Sequence, residues 1–276
     1  MKIKTIITLF IFTILFGCKT QQSQSESTIS EIKTIQIPVR EYSVLTVLWQ
    51  QHAAEYRALA YQAYNTAQLQ LDNILRNRKN YEKPLAIVTD IDETVLNNSP
   101  YNGKMIELNE EYSNARWIEW GKEKKAEIVP GSLDFFKYAA SKGVEIFYIS
   151  NRLLVQKSET IENMQKLGLP FLDDAHFLLR ETVSGKEPRR LQVQKTHEII
   201  MLLGDNLSDF SEVFDNQNTE TRNFKVDSLK AAFGNKYIVL PNPMYGDWET
   251  KGILEGKYNW TASQKDSIRH SKIISY

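Results

Sequence analysis

Residues 85–94 read LAIVTDIDET. The first five, Leu85 to Thr89, are a continuous run of β-favouring residues with no polar alternation. Such a run suits a strand covered on both faces, as in a parallel sheet flanked by helices. Directly behind it stand Asp90 and Asp92. In α/β sheets, ligands bind beyond the carboxyl ends of the strands, so two acidic residues placed there point into a site. Like charges so close repel, which raises one pKa or calls for a cation between them. A hard divalent cation with oxygen ligands, Mg²⁺, suits that arrangement. Taken alone, the same residues also suit a polar turn that caps a helix.

Outward from this stretch, similar apolar runs occupy residues 144–149 (VEIFYI), 199–203 (IIMLL) and 237–240 (YIVL), with a further candidate at 176–179. Helical periodicity lies between them at 132–141, 155–167, 188–196 and 224–233. Upstream, apolar residues recur three and four apart from Tyr42 to Leu75, which predicts one long helix or two with a bend. Strand–helix alternation predicts an α/β fold with a parallel sheet and right-handed crossovers. Ser150-Asn151-Arg152 comes after the second run, where a hydroxyl can donate to an anion or serve as a plain helix cap. Asp205 and Asp209 come after the third, within GDNLSD, and face the same way if a helix begins there. Lys186 lies between the second and third runs, in a loop beside Pro188. It either offers an ammonium to a phosphate or is a solvated surface lysine.

The order of these signals resembles the haloacid dehalogenase superfamily. More narrowly, residues 90–101 (DIDETVLNNSPY) and 203–210 (LGDNLSDF) resemble the class C acid phosphatases, including the lipoprotein e type of 5′-nucleotidase. Residues 115–117, 129–131, 147–152 and 240–249 (LPNPMYGDWE) extend the resemblance, which covers roughly 42–250. It implies a Rossmann-like parallel sheet with helical cap elements. It also implies that Asp90 is the nucleophile, forming an aspartyl-phosphate. By the same resemblance Asp92 is general acid and then base. Asp90, Asp92 through its backbone carbonyl, and Asp205 would hold Mg²⁺. Ser150, Asn151 and Lys186 would bind the phosphoryl group, and Asp209 would support the metal's outer shell or orient Lys186. Two residues depart from the commoner family pattern: Asn97 stands where Asp is frequent, and Ser150 where Thr is frequent. Ser150 keeps the hydroxyl.

About fifty residues separate the first two strands, more than a crossover helix needs. This predicts a helical cap built from about 41–80 and 100–128. Tyr101, Trp117 and Tyr245 are candidates to stack a nucleobase, with Trp120 and Trp248 behind them; core packing is the alternative for each. With the family resemblance they favour nucleoside 5′-monophosphates. The four histidines are scattered without a spacing for metal or nucleophilic work. The single cysteine, Cys18, excludes an intrachain disulfide framework and a Cys-rich zinc site.

Residues 1–17 (MKIKTIITLFIFTILFG) carry Lys2 and Lys4 ahead of an uncharged apolar run that is short for a bilayer span. With Cys18 directly after it, this segment resembles a bacterial lipoprotein signal peptide. The resemblance implies cleavage before Cys18 and lipidation of its sulfur. Each buried acyl CH₂ contributes about 0.8 kcal/mol, so two or three chains hold a protein on a membrane. Lys19 in place of Asp makes the outer membrane the default location. The next stretch, rich in Gln and Ser, predicts a tether over residues 18–40, ahead of a phosphatase domain over 41–276.

Across the precursor, 34 Lys plus Arg balance 34 Asp plus Glu. That balance gives no support for nucleic-acid binding by bulk charge. Oligomeric state is left open, a homodimer included. The expected activity is a membrane-anchored, Mg²⁺-dependent phosphomonoesterase. The alternatives are a phosphotransferase, a phosphatase of broad specificity, and a non-catalytic lipoprotein that binds a phosphate ligand.

Overall fold

The structure is a computed structural model that describes residues 38–77 and 81–276. The expected leader 1–17, the lipidation site Cys18 and the tether up to residue 37 lie outside the described residues. No helix among the described residues is long and apolar enough to cross a membrane. Within the described end of the stretch expected as tether, packing is already present. Arg40 is buried, and its backbone N–H donates to Asn109 Oδ1 at 3.2 Å.

The strands are β1 (Leu85–Thr89), β2 (Leu96–Asn97), β3 (Glu127–Ile128), β4 (Glu145–Leu153), β5 (Phe177–Arg180), β6 (Glu198–Gly204) and β7 (Tyr237–Val239). Five form a sheet in the order β5-β4-β1-β6-β7, parallel throughout. The short pair β2 and β3 is antiparallel. The helices are α1 (Val44–His52), α2 (Ala54–Arg76), α3 (Ser99–Leu108), α4 (Asn114–Glu123), α5 (Ser132–Ser141), α6 (Lys157–Lys166), α7 (Glu187–Gln194), α8 (Thr219–Ser228) and α9 (Ala262–Ser271).

Every residue of β1 is buried, as its unbroken apolar run demands. Its alternate residues feed two cores. On one face, Leu85 and Ile87 join Ile146, Tyr148, Met201 and Leu203, covered by Ala60, Tyr64, Ala67 and Leu71 of α2 and by Phe135, Phe136 and Ala139 of α5. On the other, Ala86 and Val88 join Phe147, Ile149 and Leu202, covered by Val193 of α7 and by Phe210. The spacing of four, three and four from Ala60 to Leu71 places one apolar stripe against the sheet. Helix α2, expected within the cap, is therefore part of the main core.

Two boundaries differ from the sequence reading. Strand β4 runs on to Leu153, so Ser150 lies within the strand and not just past its end. The helix expected at 224–233 starts earlier, at Thr219, because the Asn218 side chain caps it by accepting from the Thr221 N–H at 2.9 Å. A 3₁₀ turn, Lys230–Ala232, replaces its last residues.

Candidate active site

The central strands β4, β1 and β6 are neighbours, so the residues at their carboxyl ends converge on one edge of the sheet. The Asp90 N–H donates to Leu203 O at 2.9 Å, which carries the β1–β6 ladder one residue further. Beyond it the chain makes a tight loop. Ile91 O accepts from both the Val95 and Leu96 N–H groups, and the Glu93 N–H donates to Leu96 O, each at 2.8 Å. Glu93 sits at φ +57°, a region costly for a side chain. Its carboxylate is what holds it there: Oε1 accepts from the Asn98 N–H at 2.7 Å, and Oε2 meets the Tyr245 hydroxyl. Burial, reinforced by the nearby Asp92 carboxylate, pushes Glu93 up to about 8.

At the centre, Lys186 Nζ lies 2.5 Å from Asp90 Oδ1 and 2.6 Å from Asp209 Oδ1. All three side chains are buried. Burial opposes the lysine charge, but the carboxylates of Asp209 and Asp90 outweigh it and hold the ammonium above the usual lysine value. Asp90 is pushed up to about 7 by burial, with Asp209 and Asp92 adding to the effect and Lys186 opposing it. Asp205 is raised well above the usual carboxylate range, first by burial and then by Asp209 and Asp90. Its oxygens accept from Thr94 Oγ1 at 3.2 Å and Asn242 Nδ2 at 2.8 Å, both neutral donors. Asp209 rides on a 3₁₀ turn, where its Oδ2 accepts from the Asn206 N–H at 3.0 Å. A Cβ at Gly204 would collide with the Asp209 side chain, so only glycine fits there. Arg190, also buried, donates to the carbonyls of Ser208 at 3.0 Å and Asp209 at 2.9 Å and so fixes the same turn.

Carboxylate oxygens of Asp90, Asp205 and Asp209 lie within 4.8 Å of one another. Two buried carboxylates, Asp90 and Asp209, share one ammonium and the half-buried Asp205 adjoins them, so the cluster is short of positive charge. An all-oxygen donor set of this kind could hold a hard divalent cation. The Asp92 side chain is not in that cluster. Asp92 Oδ1 accepts from Arg152 Nε and Asn98 Nδ2, each at 2.9 Å, and lies 2.8 Å from Arg152 Nη2 in an ion pair. Asp92 Oδ2 faces the Ser150 hydroxyl at 3.3 Å, and that hydroxyl accepts from the Arg152 N–H at 3.1 Å. Asn151 is exposed, and its Oδ1 accepts from Arg189 Nη2 at 2.7 Å.

The aromatic candidates are less open than their sequence reading supposes. Tyr101 and Trp117 are buried, only 5% and 8% exposed, and meet edge to face at 4.9 Å between ring centroids. Arg152 lies over the Trp117 ring at 5.3 Å. The exposed ring of this cluster is Tyr112, which was not among the stacking candidates. Trp120 Nε1 donates to Asn98 Oδ1 at 2.9 Å, and Trp248 is exposed.

The structure thus brings Asp90, Asp92, Ser150, Lys186, Asp205 and Asp209 together. It adds Thr94, Asn98, Arg152 and Asn242, to which sequence reasoning gave no role. Each lies inside a motif string, at 90–101, 147–152 or 240–249, and that is the one signal that could have found them.

The profile of the family described as HAD superfamily, subfamily IIIB (acid phosphatase) matches residues 4–248. The structure is similar to that of the class C acid phosphatase from Bacillus anthracis, with a TM-score of 0.83 and 43% identity, over 87% of this chain and 100% of that chain. A structure of that protein with tungstate bound matches equally well. Among curated proteins, the stem 31 kDa glycoprotein of Glycine max is 29% identical over 161 residues, 56% of this chain and 57% of that protein. Acid phosphatase 1 of Solanum lycopersicum is 25% identical over 166 residues, 57% of each chain. The chain therefore spans about 57% of the length of these curated relatives.

Proposed function

Because the chain belongs to subfamily IIIB of the HAD superfamily, the acid phosphatases, we propose that it hydrolyses phosphomonoesters through a phosphorylated Asp90. The observation that carries this reading is the buried contact of Lys186 with both Asp90 and Asp209, beside Asp205. It combines a carboxylate nucleophile, a desolvated cation for phosphoryl oxygens and an oxygen cluster for a metal. Tungstate on the Bacillus anthracis relative supports oxyanion binding by this fold.

In the first step an Asp90 carboxylate oxygen bonds to phosphorus, and the bond from phosphorus to the ester oxygen breaks. Asp92 gives its proton to the departing alkoxide. In the second step Asp92 takes a proton from water, the water oxygen bonds to phosphorus, and Asp90 leaves as carboxylate with inorganic phosphate. Lys186 holds phosphoryl oxygens throughout, and the Ser150 hydroxyl lies beside Asp92 to contact another. Mg²⁺ is the cation we assign to Asp90, Asp205 and the Asp92 carbonyl; it would neutralise charge on the nucleophile and the phosphoryl group. A ligand-binding role alone would not need an Asp92 carboxyl oriented by Arg152 and Asn98, so turnover is favoured over capture.

Nucleoside 5′-monophosphates are the ester class we favour. The aromatic group of Tyr101, Tyr112 and Trp117 adjoins Arg152, and Tyr245 adjoins Glu93. Such rings suit a base, worth about 1–3 kcal/mol per stacked base elsewhere. The segment 1–18 supports display of the enzyme on a bacterial membrane through lipid on Cys18, the outer membrane being our assignment.

Phosphate release tests the reading. The panel is 5′-, 3′- and 2′-nucleotides, glycerol phosphate and aryl phosphates, each with Mg²⁺ and with EDTA. Release with Mg²⁺, lost in EDTA and greatest for 5′-nucleotides, is expected. No release from any ester in Mg²⁺ would overturn the activity.

A further inference from the structure

Arg152 is a fully enclosed cation, 3% exposed, and each part of its fork is engaged. Nε donates to Asp92 Oδ1 at 2.9 Å, and Nη2 forms an ion pair with the same oxygen at 2.8 Å. Nη2 also reaches Asn98 Oδ1 at 3.2 Å, and Nη1 donates to Thr160 Oγ1 at 3.1 Å. The Trp117 ring lies beneath the guanidinium carbon at 5.3 Å. Thr160 is itself pinned, since its hydroxyl donates to Gln156 O at 2.7 Å. Asn98 is pinned too: its Oδ1 accepts from Trp120 and its Nδ2 donates to Asp92 Oδ1.

The consequence falls on Asp92. Its Oδ1 receives two N–H donors, from Arg152 Nε and Asn98 Nδ2, with the Arg152 Nη2 charge 2.8 Å away, so both of its lone pairs are taken and it has no room for a proton of its own. A proton on this carboxyl group must therefore sit on Oδ2, the oxygen that faces Ser150 on β4. We propose that Arg152 is a positioning residue. With Asn98, it saturates Asp92 Oδ1 and thereby leaves Oδ2 as the single oxygen that passes a proton to the departing alkoxide. This deepens the phosphatase reading above and rests on it. As the phosphorus–ester oxygen bond breaks and the Asp90 oxygen–phosphorus bond forms, the Oδ2 proton moves to the ester oxygen. Oδ1 stays bound to Arg152 before and after.

The test reads leaving-group dependence. A poor leaving group such as an alkoxide needs the proton; a nitrophenolate does not. kcat/KM would be measured for wild type, Arg152→Met and Arg152→Lys on glycerol phosphate, a nucleoside 5′-monophosphate, phenyl phosphate, p-nitrophenyl phosphate and 2,4-dinitrophenyl phosphate. Circular dichroism would check the fold of each variant. Losing an oriented general acid costs about 10²–10⁴-fold. The variants should lose about that on the two alkyl esters and little on the dinitrophenyl ester, with a steeper dependence on leaving-group basicity. Arg152→Lys keeps the charge without the fork and should show the same pattern. It decides the matter if Arg152→Met does not fold. An equal loss across all esters would overturn the proposal and make Arg152 a scaffold or phosphate contact, and full activity of Arg152→Lys on alkyl esters would overturn it too. Wild type is measured first: no release there would overturn the phosphatase reading itself, an outcome distinct from release with uniform loss in the variants.

Discussion

Lys186 Nζ lies 2.5 Å from Asp90 Oδ1, a contact that joins residues 96 positions apart in the chain. Asp90 is placed by the end of β1, and Lys186 by the start of α7, where it is the helix's N-cap residue. The sheet order sets the first, and Arg189 anchors the second. Arg189 donates to Ser150 O at 2.6 Å and to the carbonyls of Ser184 and Gly185 at 3.1 and 3.3 Å. The loop that carries the lysine is thus tied to the strand that carries the hydroxyl.

Lys186→Met removes the ammonium and leaves Asp90 and Asp209 buried without their cation. Breaking a buried pair from one side costs about 3–5 kcal/mol. Denaturant unfolding in EDTA should show a loss of that order, and phosphate release should fall by about 10²-fold or more. Stability and release close to wild type would mean that the contact matters neither to the fold nor to the ester.

The raised carboxylates give stability a definite pH dependence. Asp90 at about 7 and Glu93 at about 8 both sit above the unfolded values of about 4. Without metal, the folded protein keeps protons that the unfolded chain has lost. That contribution is complete below about pH 4 and is lost as pH rises through 7 to 8. In EDTA, Tm should therefore be higher at pH 5.5 than at pH 8.5. Mg²⁺ favours the ionised carboxylates, so it should narrow the difference. A metal-free Tm that rises across this range would contradict the assignment.

The aromatic cluster separates packing from recognition. Trp117→Ala should cost about 3–5 kcal/mol, because the ring is buried against Tyr101 and Arg152. Trp117→Phe keeps most of the volume. It should raise KM for a nucleotide more than for glycerol phosphate if the ring takes part in base recognition. Equal changes for both esters would confine Trp117 to packing.

Attachment is tested at Cys18. With the full precursor expressed in a bacterial host, the protein should partition with membranes, and Cys18→Ser should lose lipid labelling and release it. Membrane association and labelling unchanged by Cys18→Ser would refute the anchor.

The strands and the acidic residues were legible because each depends on local pattern. Leu85 to Thr89 is apolar throughout, and Asp90 comes next wherever the strand lies in the sheet. Arg152 was legible only as a letter in a motif. Its role depends on Asp92 and Asn98, from the stretch after β1, and Thr160, from α6, arriving at one place, and no spacing encodes that. Helix α2 was misplaced because an apolar stripe says that a face is covered, not by what. The histidines read as scattered, yet parallel pairing brings His176 and His197 to the same Glu145 oxygen at 3.0 and 3.1 Å. Glu145 opens β4 and Ser150 lies five residues further along the strand, so that cluster sits back from the catalytic edge.

Phosphorylation of Asp90 is tested by trapping the covalent intermediate. Enzyme mixed with ³²P-labelled nucleoside 5′-monophosphate and Mg²⁺ would be quenched in acid within the first turnover, and the labelled peptide mapped by mass spectrometry. Label is expected on the peptide that contains Asp90, and none with a folded Asp90→Asn variant, which should also release no phosphate. Phosphate release with no label at Asp90, or turnover retained by Asp90→Asn, would contradict phosphorylation of Asp90.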